Sequence, residues 1–372
     1  MKYSFRSLLH PIVLDVLVLC ACLAGAIWLL LPMLRESHWL ILDDASDIRD
    51  RIRPLLADPT LSTLMETDNV SRFRPVHWIL RTFIYWIGGG QPAAFWHANW
   101  MILTLSLFLA YSIAKQFCTN RLAPIICPIL LFLAPPLVEV QYSSSAQERW
   151  LLLFGMLLLH LMFLTDKRIL GGIAPAKRWG LAVLTWMGGV LYIYSKEPAT
   201  IGVFFPVVWL LLTLRRGKQT PGRKQRVIFL LVTFAVLVLV ASVPFVLRTV
   251  RTWMENKEGY SGGFEISWTK MAVTHNAYRI MFFPRVWPLL LPPLMAAVLA
   301  LCAVATPRRR AIVPYVAPIV FFLLISGIQY VIRLPWEAQV RYLLPIMGPL
   351  VIVNALSVDY VLAMVRKPEP TA

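Results

Sequence analysis

One feature constrains this chain more than any other: a succession of apolar segments of roughly membrane-spanning length. Ten can be marked between charged breaks, at residues 12–34, 92–114, 122–138, 150–165, 179–194, 199–214, 227–247, 286–305, 311–332 and 342–365. A helix needs about 20 predominantly apolar residues to cross the hydrocarbon layer. Pro124, Pro128, Pro135 and Pro136 fall in or beside the third segment, which predicts a bend there. Composition agrees, with 58% hydrophobic and only 15% charged residues. A disordered chain is excluded, and an ordinary soluble domain carries about 25% charged residues. The expected fold is therefore an all-α polytopic membrane protein of about ten helices. Residues 1–372 form a single transmembrane domain with two long outer breaks, 35–91 and 248–285.

The first run, Ile12 to Leu34, spans 23 residues. Signal-peptide cores are roughly 7–15 residues, so it reads as an uncleaved first span. Cys20, Cys22, Cys118, Cys127 and Cys302 all lie in or beside apolar runs. Their spacing fits neither a disulfide framework nor a zinc site, and they read as small buried hydrophobes.

The net charge of +17 first suggests an anionic partner. Sorting the breaks by alternation from an inner N-terminus removes that suggestion. One set holds 19 cations against two acids, and includes the run RRGKQTPGRKQR at 215–226. The other holds 17 cations against 15 acids. Such a one-sided excess is the positive-inside signal, and it predicts cytoplasmic termini. A nucleic-acid partner is not expected.

Chemistry is thus sought on the balanced outer face. Its first break, 35–91, is 57 residues long and carries eight of the 19 acids. Ile41, Ile48, Ile52, Leu55 and Leu56 recur at near-helical spacing, which suggests helices lying on the membrane surface. Trp78, Phe83, Tyr85 and Trp86 suit an interfacial belt. Asp43-Asp44 follows the first span closely. Two adjacent carboxylates repel, which predicts a raised pKa for one and suits it to take a proton from a hydroxyl; the pair also suits a helix N-cap. Arg72 and Arg74 offer guanidiniums for phosphate, or snorkel to lipid headgroups, and His77 follows them. Tyr142 to Arg149 is a small polar break ending in Glu148-Arg149. Lys196-Glu197 lies between two closely joined spans, where charges are costly unless paired or solvated. Arg333 and Arg341 flank the last outer break. Carboxylates on one long loop, with cations from four separated breaks, suit a lipid phosphate reacting at the membrane surface.

At this level the chain resembles the GT-C glycosyltransferases, polytopic enzymes that use polyprenyl- or dolichyl-phosphate sugars. The acidic pair after the first span is similar to that superfamily's acidic loop motif. Arg72-Phe-Arg74-Pro75, Pro136-Leu-Val-Glu139-Val leading to Ser143-Ser-Ser, Ser195-Lys196-Glu197, Tyr278-Arg-Ile-Met-Phe-Phe-Pro284 and Arg341-Tyr-Leu-Leu-Pro345 resemble, in order, patterns of bacterial and tetratricopeptide-linked members. No tetratricopeptide domain accompanies them here. The resemblance implies that Asp43 or Asp44 is the general base. It implies that Arg72, Arg74, Lys196, Arg333 and Arg341 meet the lipid phosphate, with Glu197 orienting Lys196. His77, Glu139, Glu148 and Arg149 would support the site.

The activity expected is inverting transfer of a sugar from a polyprenyl-phosphate donor to a glycan, lipid or protein hydroxyl. The setting expected is the outer face of a bacterial inner membrane. No resident cofactor is required, and a divalent cation at Asp43-Asp44 stays open. A lipid-linked sugar flippase or transporter, and a polysaccharide-polymerising membrane protein, are the alternatives.

Overall fold

The computed structural model describes residues 11–36, 46–67, 74–141, 146–169, 175–196 and 344–365, with scattered helical positions between 199 and 276. Ten α-helices are named here: α1 Pro11–Arg35, α2 Arg53–Ala57, α3 Leu61–Thr67, α4 Pro75–Ile87, α5 Pro92–Lys115, α6 Ile126–Phe132, α7 Pro135–Gln141, α8 Glu148–Ile169, α9 Pro175–Ile193 and α10 Leu344–Val365. A π-helical turn, Ile48–Ile52, leads into α2, and a 3-10 turn, Ala123–Ile125, leads into α6. No strand occurs among the described residues, and the fold is all-α, as expected.

Two helices, Ile12–Arg35 and Pro92–Lys115, are long and apolar enough to cross a membrane. They match the first and second expected spans. The fourth, fifth and tenth coincide with α8, α9 and α10, of 22, 19 and 22 residues. The third is broken rather than bent. Pro135 excludes helical geometry from the residue before it, so α6 stops at Phe132 and α7 restarts at Pro135. The eighth and ninth expected spans lie outside the described residues, as do the sixth and the outer break 248–285 apart from isolated positions, whereas the seventh is helical at most of its positions.

The packing explains why these helices need one another. On α1, Val18, Cys22, Ala26 and Leu29 form one buried stripe at spacings of four, four and three. Val16, Leu17, Leu23, Ile27 and Trp28 on its other faces are exposed although apolar. Met101 and Leu105 on α5, and Val183, Leu184 and Met187 on α9, extend the same apolar exterior. An exterior of this kind suits hydrocarbon rather than water.

Close approach in such a bundle falls to small residues. Gly155 of α8 meets the ring of Tyr192 on α9, and Gly348 of α10 lies against Met156. Between α4 and α5 the chain turns through Gly89 (φ +57°) and Gly90 (φ +76°), conformations a side chain rarely adopts. A Cβ on Gly88 would meet the Cβ of Ala94 at 2.2 Å. This tight turn fixes α4 against the head of α5.

Candidate functional site

Helix α4 begins at Pro75, whose fixed φ suits the first helical position. Its sidedness is inverted relative to a helix of a soluble protein. The buried face carries His77, Trp78 and Arg81, at 1% exposure each. The exposed face carries Ile79, Phe83, Trp86 and Ile87, at 52–65%. Polar groups turned inward and apolar groups turned outward are what a helix at an apolar boundary requires. Phe83 and Trp86 are exposed, as a belt position requires. Trp78 does not: it is buried, with Arg51 4.7 Å and Arg81 5.9 Å from its ring centre. Indole faces attract guanidinium, and that attraction outweighs the belt position expected for it.

Three segments converge on this buried face. From the first outer break comes Asp47, which accepts hydrogen bonds from Arg51 Nη1 and from Arg81 Nη1, both at 2.8 Å. From the end of α9, the backbone carbonyl of Tyr194 accepts the N–H of Val76 at 3.2 Å. That contact ties Lys196 to the start of α4. From the start of α8 come Glu148, which pairs with Lys196, and Arg149, whose Nε donates to the Ala146 carbonyl at 2.8 Å. The side chains of Lys196 and Glu148 are only 6% and 4% exposed.

Arg74 is 4% exposed, so it does not snorkel to a headgroup region from the surface. The charge it carries is held inside, beside His77. Burial first, then repulsion from Arg81, Arg74, Arg149 and Lys196, holds the His77 imidazole well below its ordinary pKa. His77 is therefore neutral near pH 7. Its ring packs edge-on against Trp78 at 4.6 Å. Neither ring nitrogen has a hydrogen-bond partner among the described residues.

Four buried cations thus surround one neutral imidazole, with Asp47 and Glu148 as the described carboxylates among them. Removing charge from water is costly unless opposite charge and hydrogen bonds meet it. An anion entering such a site recovers that cost through charge-assisted hydrogen bonds. No group of three or more potential metal ligands occurs among the described residues.

Of the site residues expected from sequence, Arg74, His77, Glu148, Arg149 and Lys196 come together here, from three separate segments. Glu139 lies on α7, whose backbone alone is described at that position. Asp43, Asp44, Arg72, Glu197, Arg333 and Arg341 lie outside the described residues. Lys196 pairs with Glu148, and the sequence did not single out that pair. Arg81 and Asp47 were missed. The signal for Arg81 was present: Arg74, His77 and Arg81 are spaced by three and four, which places them on one helix face.

No family model and no curated protein matches the sequence. Among solved structures, the fold is similar to that of ArnT from Cupriavidus metallidurans, crystallised with undecaprenyl phosphate bound. The TM-score is 0.57 at 16% identity, over 92% of this chain. The chain spans 60% of that protein's length. The likeness establishes an all-α, ArnT-like fold.

Proposed function

We propose that the protein is an inverting glycosyltransferase that moves a sugar from a polyprenyl-phosphate donor to an acceptor hydroxyl at the outer face of a membrane. The observation that carries this reading is the buried cation cluster of Arg74, Arg81, Arg149 and Lys196 on an ArnT-like fold. The undecaprenyl phosphate bound by that neighbour indicates the ligand class.

In this mechanism the lipid phosphate is the leaving group. Asp43 or Asp44 takes the proton of the acceptor hydroxyl, whose oxygen attacks the anomeric carbon from the face opposite the phosphate. The bond between that carbon and the phosphate oxygen breaks through an oxocarbenium-like transition state. The phosphate then holds an additional negative charge. Arg74 and Lys196, with Arg72, Arg333 and Arg341 from the remaining breaks, stabilise that charge as it develops. Arg81 and Arg149 join them on the strength of their burial beside His77. Asp47 and Glu148 hold Arg81 and Lys196 in position. The acceptor is a glycan, lipid or protein hydroxyl of the cell envelope. The bacterial inner membrane, with both termini cytoplasmic, is the setting.

The test is sugar transfer from a radiolabelled polyprenyl-phosphate sugar in membranes carrying Asp43→Asn or Asp44→Asn. The variant lacking the base should lose about a hundred-fold or more of the activity. Full activity in both variants would sink the mechanism. Sugar crossing vesicles with no covalent transfer would favour a flippase.

A further inference from the structure

The cation cluster holds one side chain whose chemistry the preceding mechanism does not use. His77 is 1% exposed, and both ring nitrogens lack hydrogen-bond partners among the described residues. A neutral imidazole carries one N–H donor and one acceptor nitrogen, and burying them unmet is costly. His77 also sits in the first turn of α4, where the helix dipole favours negative charge. An unmet buried donor, a helix start and four surrounding cations all favour the same kind of ligand.

We infer that His77 contacts the lipid phosphate directly, donating a ring N–H to one phosphate oxygen. This rests on the proposed function and adds a residue to it. Cations attract an anion over a distance but orient it loosely, and a neutral donor in a fixed ring adds direction. It does so without adding a fifth positive charge to the cluster. The ring's T-shaped packing on Trp78 helps to fix the direction in which the N–H points.

The experiment compares two ligands of equal chain length, a polyprenyl phosphate and the uncharged polyprenol, titrated into the purified full-length protein in detergent. His77→Phe keeps a ring of similar shape but has no donor. It should weaken polyprenyl phosphate binding about ten-fold or more and leave polyprenol binding unchanged. His77→Gln, which restores a neutral N–H, should bind the phosphate within about three-fold of the wild type. If His77→Phe fails to fold, His77→Ala makes the same comparison. Undiminished phosphate binding in the donor-less variant overturns the contact and leaves the proposed function standing. So does equal weakening of both ligands, or a His77→Gln variant as weak as His77→Phe. A wild-type protein that does not prefer the phosphate to the alcohol overturns the proposed function, and this inference with it.

Discussion

The two ends of the helix bundle handle charge in opposite ways. Where α1 begins and α5 and α10 end, described carboxylates meet donors in small closed sets. Asp15 accepts from Lys115 Nζ at 2.5 and 2.6 Å and from the Tyr111 hydroxyl at 2.8 Å. Asp359 accepts the backbone N–H groups of Thr119 at 2.9 Å and Asn120 at 2.7 Å. Where α8 begins and α9 ends, Arg74, Arg81, Arg149 and Lys196 gather with Asp47 and Glu148, and the ring nitrogens of His77 are unmet by any described residue. The first end fastens helices to one another. The second gathers four buried cations, with Asp47 and Glu148 as the described carboxylates, around an imidazole whose nitrogens no described residue meets. Such a gathering suits an anionic ligand.

If the comparison holds, breaking pairs at the cluster should cost the most. Glu148→Ala removes the described carboxylate partner of the buried Lys196 ammonium. Losing one partner of such a pair destabilises by about 3–5 kcal/mol. Chemical unfolding in detergent should show this, and a second change, Lys196→Met, should recover a large part of it. No recovery would mean that Glu148 serves something other than the pair.

Acidity should separate the ends next. The folded state resists protonating His77, whereas in the unfolded chain the imidazole titrates near its ordinary value of about 6.5. As pH falls below that value, the unfolded state binds a proton that the folded state does not. Stability should therefore decline from about pH 6.5 downward, by at most ~1.4 kcal/mol per pH unit, until the folded pKa is reached. Thermal unfolding of His77→Gln should lack that decline. A pH profile identical to the wild type's would place the titration elsewhere.

How much of this was legible beforehand follows the range of the interactions. Expected spans 12–34, 92–114 and 342–365 fall within two residues of α1, α5 and α10, because hydrophobic length is local information. Pro135-Pro136 announced a bend in the third expected span for the same reason, and the structure carries it further to a break between α6 and α7. The Lys196–Glu148 pair was not legible, because it needs the end of α9 to meet the start of α8, 48 positions earlier. Trp78 was misjudged, and Arg81 missed, because an aromatic-rich outer helix reads as a surface belt. Only packing reveals that its polar face turns inward and its apolar face outward. That inversion was encoded in the spacing of Arg74, His77 and Arg81, but identical spacing on a solvated helix carries no such meaning.

At the fastening end the expected losses are smaller, and they differ from each other for a physical reason. Asp359→Ala leaves the backbone N–H groups of Thr119 and Asn120 without their acceptor. Part-buried donors lose about 1–3 kcal/mol when left unmet, so unfolding in detergent should register it.

Asp15→Ala should register least. Its side chain is 33% exposed and that of Lys115 is 41%. Water and salt screen pairs of that kind to about 1 kcal/mol or less, and Lys115 can turn to solvent once released. Tyr111 loses a hydrogen bond in the same change, so raising the salt concentration should erase part of the difference from wild type but not all of it. Polyprenyl phosphate affinity should be unaltered in both Asp15→Ala and Asp359→Ala, since neither residue belongs to the end with the cation cluster. A loss of affinity comparable to that of a Lys196 variant would show that the two ends are energetically coupled. The division between fastening and ligand binding would then have to be replaced by one cooperative bundle.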